Sequence, residues 1–472
     1  MILLTAWCLL PALIGWLLAE LMLPRDKVEW NRHLLALGLG TGLGQGLSSL
    51  FFFFWIVEWR LPFCWLLTLE ILLPIALAGV WHLCRRRLAL TAAHTMPAPM
   101  SEHLNWFGML FLVQCSITVI GMGLIIANHP IGGWDAWAFW NHRAIFLTAG
   151  LDCFYPSLCK VTHGDYPLLL PCLVAQAWAL AGIKFPLAPA LVAALWSLAT
   201  VSVVVGSVGL LRGQESGWLA GFTLLGAWLF VRMGIREYAD MPLAFWVVAT
   251  IACICLYELR FTNSRGLIFM AGLCAGCGAW TKNEGILLSL ACCGAWFLTG
   301  CLWRQKQCLH KELIALSLGM TPLLGVVIMF KIKAGVPNEL FRPETIQANI
   351  MDWPRYGLIL QTFIRQWLVF HNWGLTPYWL LLFPWAATWT CRPSERRGLA
   401  WSALTILGIL WGYFSIYVIT PNDVTQHMST SLERLYIHIW PALVLCYHLA
   451  LTLGHPMAQP QPNAERTNAL FS

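Results

Sequence analysis

The sequence predicts an all-α fold, a polytopic bundle of transmembrane helices. Of the 472 residues, 59% are hydrophobic and only 11% are charged, whereas soluble domains carry about a quarter of charged residues. The mean hydropathy is +0.67, and the 28 tryptophans favour the boundary between membrane and water. This composition excludes a water-soluble multidomain enzyme, a disordered scaffold and a nucleic-acid binder, so the lipid bilayer is the first expected partner.

Thirteen apolar runs carry few charges, and each is expected to cross the membrane as a helix. In chain order they are 2–22, 34–57, 62–83, 104–127, 187–211, 217–232, 242–257, 266–280, 285–303, 313–330, 375–389, 399–420 and 435–453. Two further apolar runs contain residues unsuited to a span: 166–182 has two prolines, and 358–372 has an arginine and a histidine. We expect these two runs to be interfacial or re-entrant helices.

The basic residues predict which side of the membrane each loop occupies. The densest cationic cluster is the arginine triplet 85–87, and positive residues gather in cytoplasmic loops. Counting spans from there also places the basic stretches 304–311 and 392–397 in the cytoplasm. Four polar segments are then expected together on the extracytoplasmic face: 128–165, 236–240, 282–284 and 422–434.

The chain divides into three expected parts. Residues 1–103 form N-terminal transmembrane helices of unknown role with a basic cytoplasmic loop; the run 2–22 lacks the basic start of a signal peptide and is treated as a span. Residues 104–455 form the transmembrane domain that carries the candidate functional residues. Residues 456–472 are polar and are expected to be a disordered cytoplasmic tail.

The first candidate site residue is Asp135, which lies among Trp134, Trp137 and Trp140 directly after a predicted span. A carboxylate at a membrane edge is a candidate general base. Arg143 follows about two helical turns later and is a candidate for substrate binding. The alternative is that Asp135 only caps an interfacial helix held by tryptophan anchors.

Two further acidic residues precede prolines that are typical of helix starts. Asp165 lies in the sequence His163-Gly-Asp-Tyr-Pro, and Asp240 lies in Glu237-Tyr-Ala-Asp-Met-Pro. His163, Asp165 and Asp240 are candidates for substrate binding. The alternative for both aspartates is ordinary N-capping, since aspartate is a preferred cap before a helix.

Charged residues also interrupt the apolar sequence at two later points. Lys282 and Glu284 stand in Thr-Lys-Asn-Glu-Gly between two apolar runs, where charges are costly and are functional candidates. The alternative is a hairpin turn that reaches to water. Arg434 begins the last span, and its planar fork suits a phosphate; the alternative is a charged helix start formed with Glu433.

The cysteines indicate neither a metal site nor a cofactor. Most of the 17 cysteines lie inside apolar runs and are expected to be buried as small hydrophobic residues. Cys274 and Cys277 have the CxxC spacing but no second ligand pair. Cys153 and Cys159 lie in a polar loop and would form a disulfide only on the oxidising side of the membrane.

In their order along the chain, these motifs resemble the GT-C superfamily of polytopic glycosyltransferases. The motifs are Trp-Asp-Ala-Trp-Ala-Phe-Trp, Tyr-Ala-Asp-Met-Pro, Thr-Lys-Asn-Glu-Gly and Ser-Leu-Glu-Arg-Leu, and they cover roughly 104–453. Protein O-mannosyltransferases and the lipid A aminoarabinose transferase are similar members. The resemblance implies an inverting transfer from a polyprenyl-phosphate sugar donor to a glycolipid, polysaccharide or protein acceptor. It also implies a site at the periplasmic face of a bacterial inner membrane.

The resemblance also implies roles for individual residues. It makes Asp135 the base, Asp240 the acidic residue of the second extracytoplasmic loop, and Lys282 and Arg434 the cations for the donor phosphate. Weaker matches are His163, Asp165 and Glu284. Family members often carry a second acidic residue after the base, and this chain has Ala136 there.

Two other classes of function would also suit a polytopic helical chain. A transporter or flippase for a lipid-linked or amphiphilic substrate should have ionisable residues near mid-membrane and paired halves. A non-catalytic assembly subunit would not need four polar segments on one face. Because the acidic residues gather on one predicted face and no repeat is visible, the sequence favours the enzyme.

Overall fold

The computed structural model describes residues 2–24, 30–89, 105–149, 152, 154–262, 264–303, 306–389 and 392–452. Over these ranges the regular secondary structure is helical apart from one antiparallel pair of two-residue strands, β1 (Thr388–Trp389) and β2 (Leu451–Thr452). The predicted all-α class is therefore confirmed. Cys153, Arg304, the side chains of the arginine triplet 85–87 and the tail 456–472 lie outside this description.

The described chain forms twenty α-helices, and two of them adjoin π-helical turns. In chain order they are α1 (Ile2–Met22), α2 (Trp30–Phe52) with a π-helical turn over Phe53–Glu58, α3 (Phe63–Ala89), α4 (Trp106–Asn128), a π-helical turn over Ala136–Trp140 leading into α5 (Asn141–Ala149), α6 (Phe154–Leu158), α7 (Leu169–Ala181), α8 (Leu187–Arg212), α9 (Gln214–Gly226), α10 (Trp228–Met233), α11 (Asp240–Leu259), α12 (Arg265–Thr281), α13 (Asn283–Trp303), α14 (Lys306–Ala334), α15 (Pro343–Ile350), α16 (Trp353–Gln366), α17 (Phe370–Trp373), α18 (Thr376–Ala386), α19 (Arg396–Ile419) and α20 (Val424–Ala450).

Eight helical segments in the described ranges are long and apolar enough to cross a membrane, which identifies a multi-pass membrane protein. The predicted number of thirteen spans is not confirmed. The run 217–232 is not one continuous helix, because the chain leaves the helix at Ala227 and divides into α9 and α10. The expected span 375–389 is also wrong: α18 has eleven residues, a rise of about 16 Å against a hydrocarbon core of about 30 Å.

The two runs expected at the interface form short helices. The run 166–182 gives α7, whose 13 residues rise about 20 Å and are too short to cross. The run 358–372 gives α16 and α17. Ile359 of α16 is buried on the bundle while Leu360 and Ile364 are exposed, an arrangement typical of a helix that lies along a membrane surface.

The bundle is built around α11, in which every residue from Asp240 to Glu258 is buried. Helices α8, α12, α19 and α20 pack around it, whereas α3 and α4 lie at the periphery with mostly exposed apolar side chains. The N-terminal helices belong to the same core. A Cβ on Gly42 of α2 would lie 2.0 Å from the ring of Phe245 in α11, so the small residue permits close helix contact.

Buried ion pairs join the helices at one end of the bundle. Arg397 is buried between Glu258 and Glu312, with its Nη2 2.7 Å from Glu312 Oε2. Nearby, Arg212 lies 2.9 Å from Glu395. These groups belong to loops that the sequence assigns to the cytoplasm, at the end of α11 opposite to Asp240.

The predicted sidedness can be tested by labelling single cysteines with a membrane-impermeant thiol reagent. Ser394 and Thr425 are both exposed. Ser394 lies just before the start of α19, and Thr425 lies in the first turn of α20, beyond the other end of α19. In a background without the native cysteines, we expect Thr425→Cys to react in intact cells and Ser394→Cys to react only after permeabilisation. The reverse pattern would show that the assigned orientation is wrong.

Candidate functional site

The candidate site lies at the end of the bundle where three polar helix ends and a loop meet. Asp240 begins α11, Lys282 connects α12 to α13, and Glu284 stands in the first turn of α13. Arg434 lies in the N-terminal half of α20, and Asp135 directly precedes a π-helical turn. Residues far apart in sequence therefore converge on one small region.

Asp135 and Arg434 form an ion pair in which Arg434 Nη1 donates to Asp135 Oδ2. Their side chains are 18% and 19% exposed. Tyr238 supports both partners, since its hydroxyl accepts from the Asp135 N–H at 3.4 Å and its ring lies 5.6 Å below the guanidinium carbon. Asp135 makes no side-chain capping bond and has helical backbone angles, so the capping alternative is wrong.

A glycine turn brings the loop of Asp135 against the segment before α11. Gly133 donates its N–H to the Arg236 carbonyl at 3.1 Å, and a Cβ on Gly133 would lie 2.3 Å from the Tyr238 hydroxyl. Gly132 has φ +72°, a conformation that favours glycine. The two glycines therefore allow the close backbone contact that positions Asp135.

Lys282 is held between two carboxylates. Its Nζ lies 3.0 Å from Asp240 Oδ1 and 2.9 Å from Glu284 Oε1, with the Tyr166 ring 5.9 Å away. The residue is only 6% exposed, so it does not reach to water as a hairpin turn would. Burial disfavours its charge, but the carboxylates of Asp240 and Glu284 prevail and raise the pKa of Lys282 above its usual value.

His438 joins this group and was missed in the sequence. Its Nε2 lies 2.7 Å from Asp240 Oδ1, and its Nδ1 lies 2.8 Å from the hydroxyl of Tyr413 in α19. A proton on Nε2 would bond to Asp240 and leave Nδ1 to accept from Tyr413. Asp240 is the first residue of α11 and not its cap. The signal for His438 was its spacing of four residues from Arg434, one helical turn away.

Asp165 lies in a neighbouring polar cluster. Its Oδ2 accepts from Asn283 at 2.7 Å and from Asn338 at 3.1 Å, and it lies 3.4 Å from Lys331 Nζ. The cap position of α7 is Leu168, so the alternative that Asp165 only caps this helix is wrong. Asn283 stands between Lys282 and Glu284 in sequence, and it therefore links this cluster to the first one.

His163 and Arg143 flank an aromatic stack. The ring of Tyr166 is stacked on His163 at 4.9 Å and on Trp140 at 5.8 Å. Arg143 is fully buried and donates to the backbone carbonyls of Thr162, His163 and Tyr166. Burial lowers the pKa of Arg143 to about 10 and lowers the pKa of His163. In this structure Arg143 holds the backbone of a loop, apart from the ion pair of Asp135.

Glu237 is a second residue that the sequence did not identify. It is 2% exposed, has φ +61°, and accepts from Asn141 Nδ2 at 3.0 Å. Its carboxyl carbon packs against Gly132, in the turn that precedes Asp135: a Cβ added to Gly132 would lie 2.9 Å from Glu237 Cδ. Burial raises the pKa of Glu237 to about 7, although the bond from Asn141 opposes the shift.

An apolar groove of about 920 Å³ opens beside this end of the bundle. It runs between α13, α16 and α19 and is lined by residues such as Gly294, Phe363 and Trp411. The groove reaches Tyr436 of α20, which lies two residues after Arg434 and donates its hydroxyl proton to the Phe363 carbonyl at 2.7 Å. Helix α20 therefore contributes Tyr436 to the groove and Arg434 to the ion pair.

Among the described residues, no group of three histidine, cysteine, aspartate or glutamate side chains is arranged to hold a metal ion. Cys274 and Cys277 are both buried and free. Their surroundings in the helical core agree with the expectation that they pack as small hydrophobic residues.

No protein-family model matches the chain, and no curated protein matches it. Among solved structures, the chain is similar to the crystal structure of ArnT from Cupriavidus metallidurans bound to undecaprenyl phosphate. The identity is 14%, the TM-score is 0.49, and the match covers 73% of this chain and 60% of the ArnT chain. ArnT belongs to the group that the sequence motifs resemble. The chemistry of this chain is therefore argued from its own contacts.

The raised pKa of Glu237 predicts a pH dependence of stability. A carboxyl that binds its proton more tightly when folded favours folding at low pH, and this contribution is lost as the pH rises from 4.5 through about 7. The shift corresponds to about 3 kcal/mol. We expect the melting temperature of the wild type to fall between pH 5 and 8 more than that of Glu237→Gln.

Thermal unfolding of the purified protein in detergent measures this difference. Glu344→Gln is the matched control, because Glu344 is an exposed carboxylate of α15. It should follow the wild type. If the melting temperatures of the wild type and Glu237→Gln changed with pH in parallel, the raised pKa of Glu237 would be contradicted.

Proposed function

We propose that the chain is an inverting glycosyltransferase of the GT-C type. It transfers a sugar from a polyprenyl-phosphate-linked donor to a glycolipid, polysaccharide or protein acceptor at the periplasmic face of a bacterial inner membrane. The observation that carries the proposal is the contact between Asp135 and Arg434 beside a large apolar groove. A proton acceptor and a cation are in contact, and a lipid-sized apolar surface includes Tyr436 of the helix that carries the cation.

Arg434 is the better site for the donor phosphate. Lys282 already contacts two carboxylates, those of Asp240 and Glu284. Arg434 contacts one carboxylate through Nη1, and its buried Nε has no hydrogen-bond partner. A guanidinium edge with free N–H groups binds two phosphate oxygens at once. We therefore assign the phosphate to Arg434, and to Lys282 the task of holding Asp240 and Glu284 in place.

The groove is suited to the isoprenoid chain of the donor. Its lining is apolar, and it reaches Tyr436, two residues after Arg434 on the same helix. A lipid whose tail lies in the groove would present its phosphate at the membrane edge near Arg434. Burial of such a tail contributes roughly 25 cal/mol per Å² of apolar surface removed from water.

The proposed chemistry is a single displacement at the anomeric carbon. The acceptor hydroxyl oxygen forms a bond to that carbon while the bond from the carbon to the phosphate oxygen breaks. The hydroxyl proton passes to the carboxylate of Asp135. The electron pair of the broken bond leaves with the polyprenyl phosphate, where Arg434 stabilises the developing charge. The configuration at the anomeric carbon is inverted once, and no residue of the protein is covalently modified.

Asp135→Asn tests the proposed base. The asparagine is nearly isosteric, but it cannot take up the proton and it loses the charge paired with Arg434. Because the donor is still expected to bind, we expect normal expression and a fall in sugar transfer of about 10²–10⁴-fold. Transfer from a polyprenyl-phosphate sugar to an envelope extract is the measurement. Asp152→Asn is the matched control, since Asp152 is an exposed aspartate of the same loop. Retention of more than about a tenth of the activity would count against Asp135 as the base.

Gly294→Leu tests the proposed lipid site. A Cβ on Gly294 meets no atom within 4 Å, so the leucine enters the groove without disturbing the core. We expect binding of a polyprenyl phosphate to weaken by about tenfold, which is 1.4 kcal/mol. Gly123→Leu is the matched control, because Gly123 also has no neighbour within 4 Å but lies on the peripheral helix α4. Equal affinities of the two variants would exclude the groove as the tail site.

A further inference from the structure

We propose that Arg434 is shared between Asp135 and the donor phosphate, so that binding of the donor frees the carboxylate of Asp135 from its ion pair to act on the acceptor. This inference rests on the proposed function and adds an order to it. The donor must occupy the site before the acceptor hydroxyl can lose its proton.

One edge of the guanidinium has hydrogen-bonding capacity that the ion pair with Asp135 does not use. Asp135 occupies Nη1, and of the described residues it alone accepts a hydrogen bond from Arg434. The Nε atom is buried without a partner. Nε and Nη2 form one edge of the planar guanidinium, with two parallel N–H groups that match two oxygens of a phosphate.

Tyr238 keeps the two partners assembled in the absence of a donor. Its ring lies under the guanidinium of Arg434, and its hydroxyl accepts from the backbone N–H of Asp135. Because Gly133 packs directly against the Tyr238 hydroxyl, this contact is part of the turn that carries Asp135. The surrounding side chains and the glycine turn therefore hold the ion pair in place.

The electrostatic consequence follows from the shared charge. The ion pair occupies a carboxylate oxygen of Asp135 that would otherwise accept from the acceptor hydroxyl. A phosphate on the free edge of Arg434 brings a second negative charge close to the same cation, which weakens the attraction between Arg434 and Asp135. Lys282 cannot compensate, because it is already held by Asp240 and Glu284.

Two anions that share one cation must also affect each other's binding. Removal of the charge on Asp135 should strengthen the binding of a phosphate, and the effect should require Arg434. A double-mutant cycle isolates this coupling from other effects of the two substitutions.

The experiment measures the affinity of undecaprenyl phosphate for the purified full-length chain in nanodiscs. The variants are wild type, Asp135→Asn, Arg434→Gln and the double variant. We expect Asp135→Asn to bind about tenfold more tightly than wild type, a coupling of ordinary size for groups in contact. In the Arg434→Gln background, binding is weaker and Asp135→Asn changes it by less than about twofold.

Each other outcome overturns the inference in a recognisable way. Unchanged or weaker binding by Asp135→Asn would show that the two anions do not share a cation. An equal gain in both backgrounds would show a general charge effect that does not pass through Arg434. A wild-type chain that binds no undecaprenyl phosphate would instead overturn the proposed function, and this inference with it.

Two further variants serve as controls, one for the loss of a negative charge and one for the loss of folding. Asp152→Asn removes an exposed carboxylate that contacts Arg60, and it should leave the affinity unchanged. Arg434→Lys keeps the charge but loses the two-pronged edge, and it replaces Arg434→Gln if that variant does not fold. With lysine present, the gain from Asp135→Asn should be smaller than with arginine; a gain of the same size would overturn the role of the free edge.

Discussion

The buried carboxylate of Asp240 is the group on which the arrangement of this site depends. It begins α11, the helix at the centre of the bundle, and a buried charge is costly unless it is paired. Lys282 and His438 supply the partners, at 3.0 Å and 2.7 Å from the same oxygen. Lys282 ends α12, and His438 belongs to α20 and contacts Tyr413 of α19. The partners of this one carboxylate therefore connect four helices, and they place Arg434, one turn before His438, opposite Asp135.

The site is not a simple cationic pocket. Three carboxylates, those of Asp135, Asp240 and Glu284, face the two cations Lys282 and Arg434. The hydrogen-bonding capacity that these carboxylates leave unused differs between the two cations. Lys282 has a carboxylate on either side, whereas Arg434 has an unpartnered Nε. The distinction follows from the planar fork of arginine, which offers separate edges to separate partners.

The sequence predicted the helical membrane fold and the segments that converge at the site, because apolar runs and charged interruptions are local signals. It did not predict the contacts. The capping roles weighed for Asp135, Asp165 and Asp240 failed because their side chains are used by distant partners, which local propensity does not reveal. His438 was missed because it lies inside an apolar helix. The span 217–232 was expected to be continuous because hydropathy does not report a backbone break at Ala227.

The segment 136–143, which follows Asp135, stabilises two loops beside the site, those of His163 and Glu237. Among the described residues, His163 and Glu237 are two of three non-glycine residues with positive φ, a conformation that costs of order 1–3 kcal/mol. Arg143 binds the carbonyl of His163, and Asn141 binds the carboxylate of Glu237. Both donors lie in the first turn of α5, directly after the π-helical turn that follows Asp135. One continuous segment thus carries the proposed base and holds both strained loops, so a displacement of either loop would be transmitted to Asp135 and to its contact with Arg434.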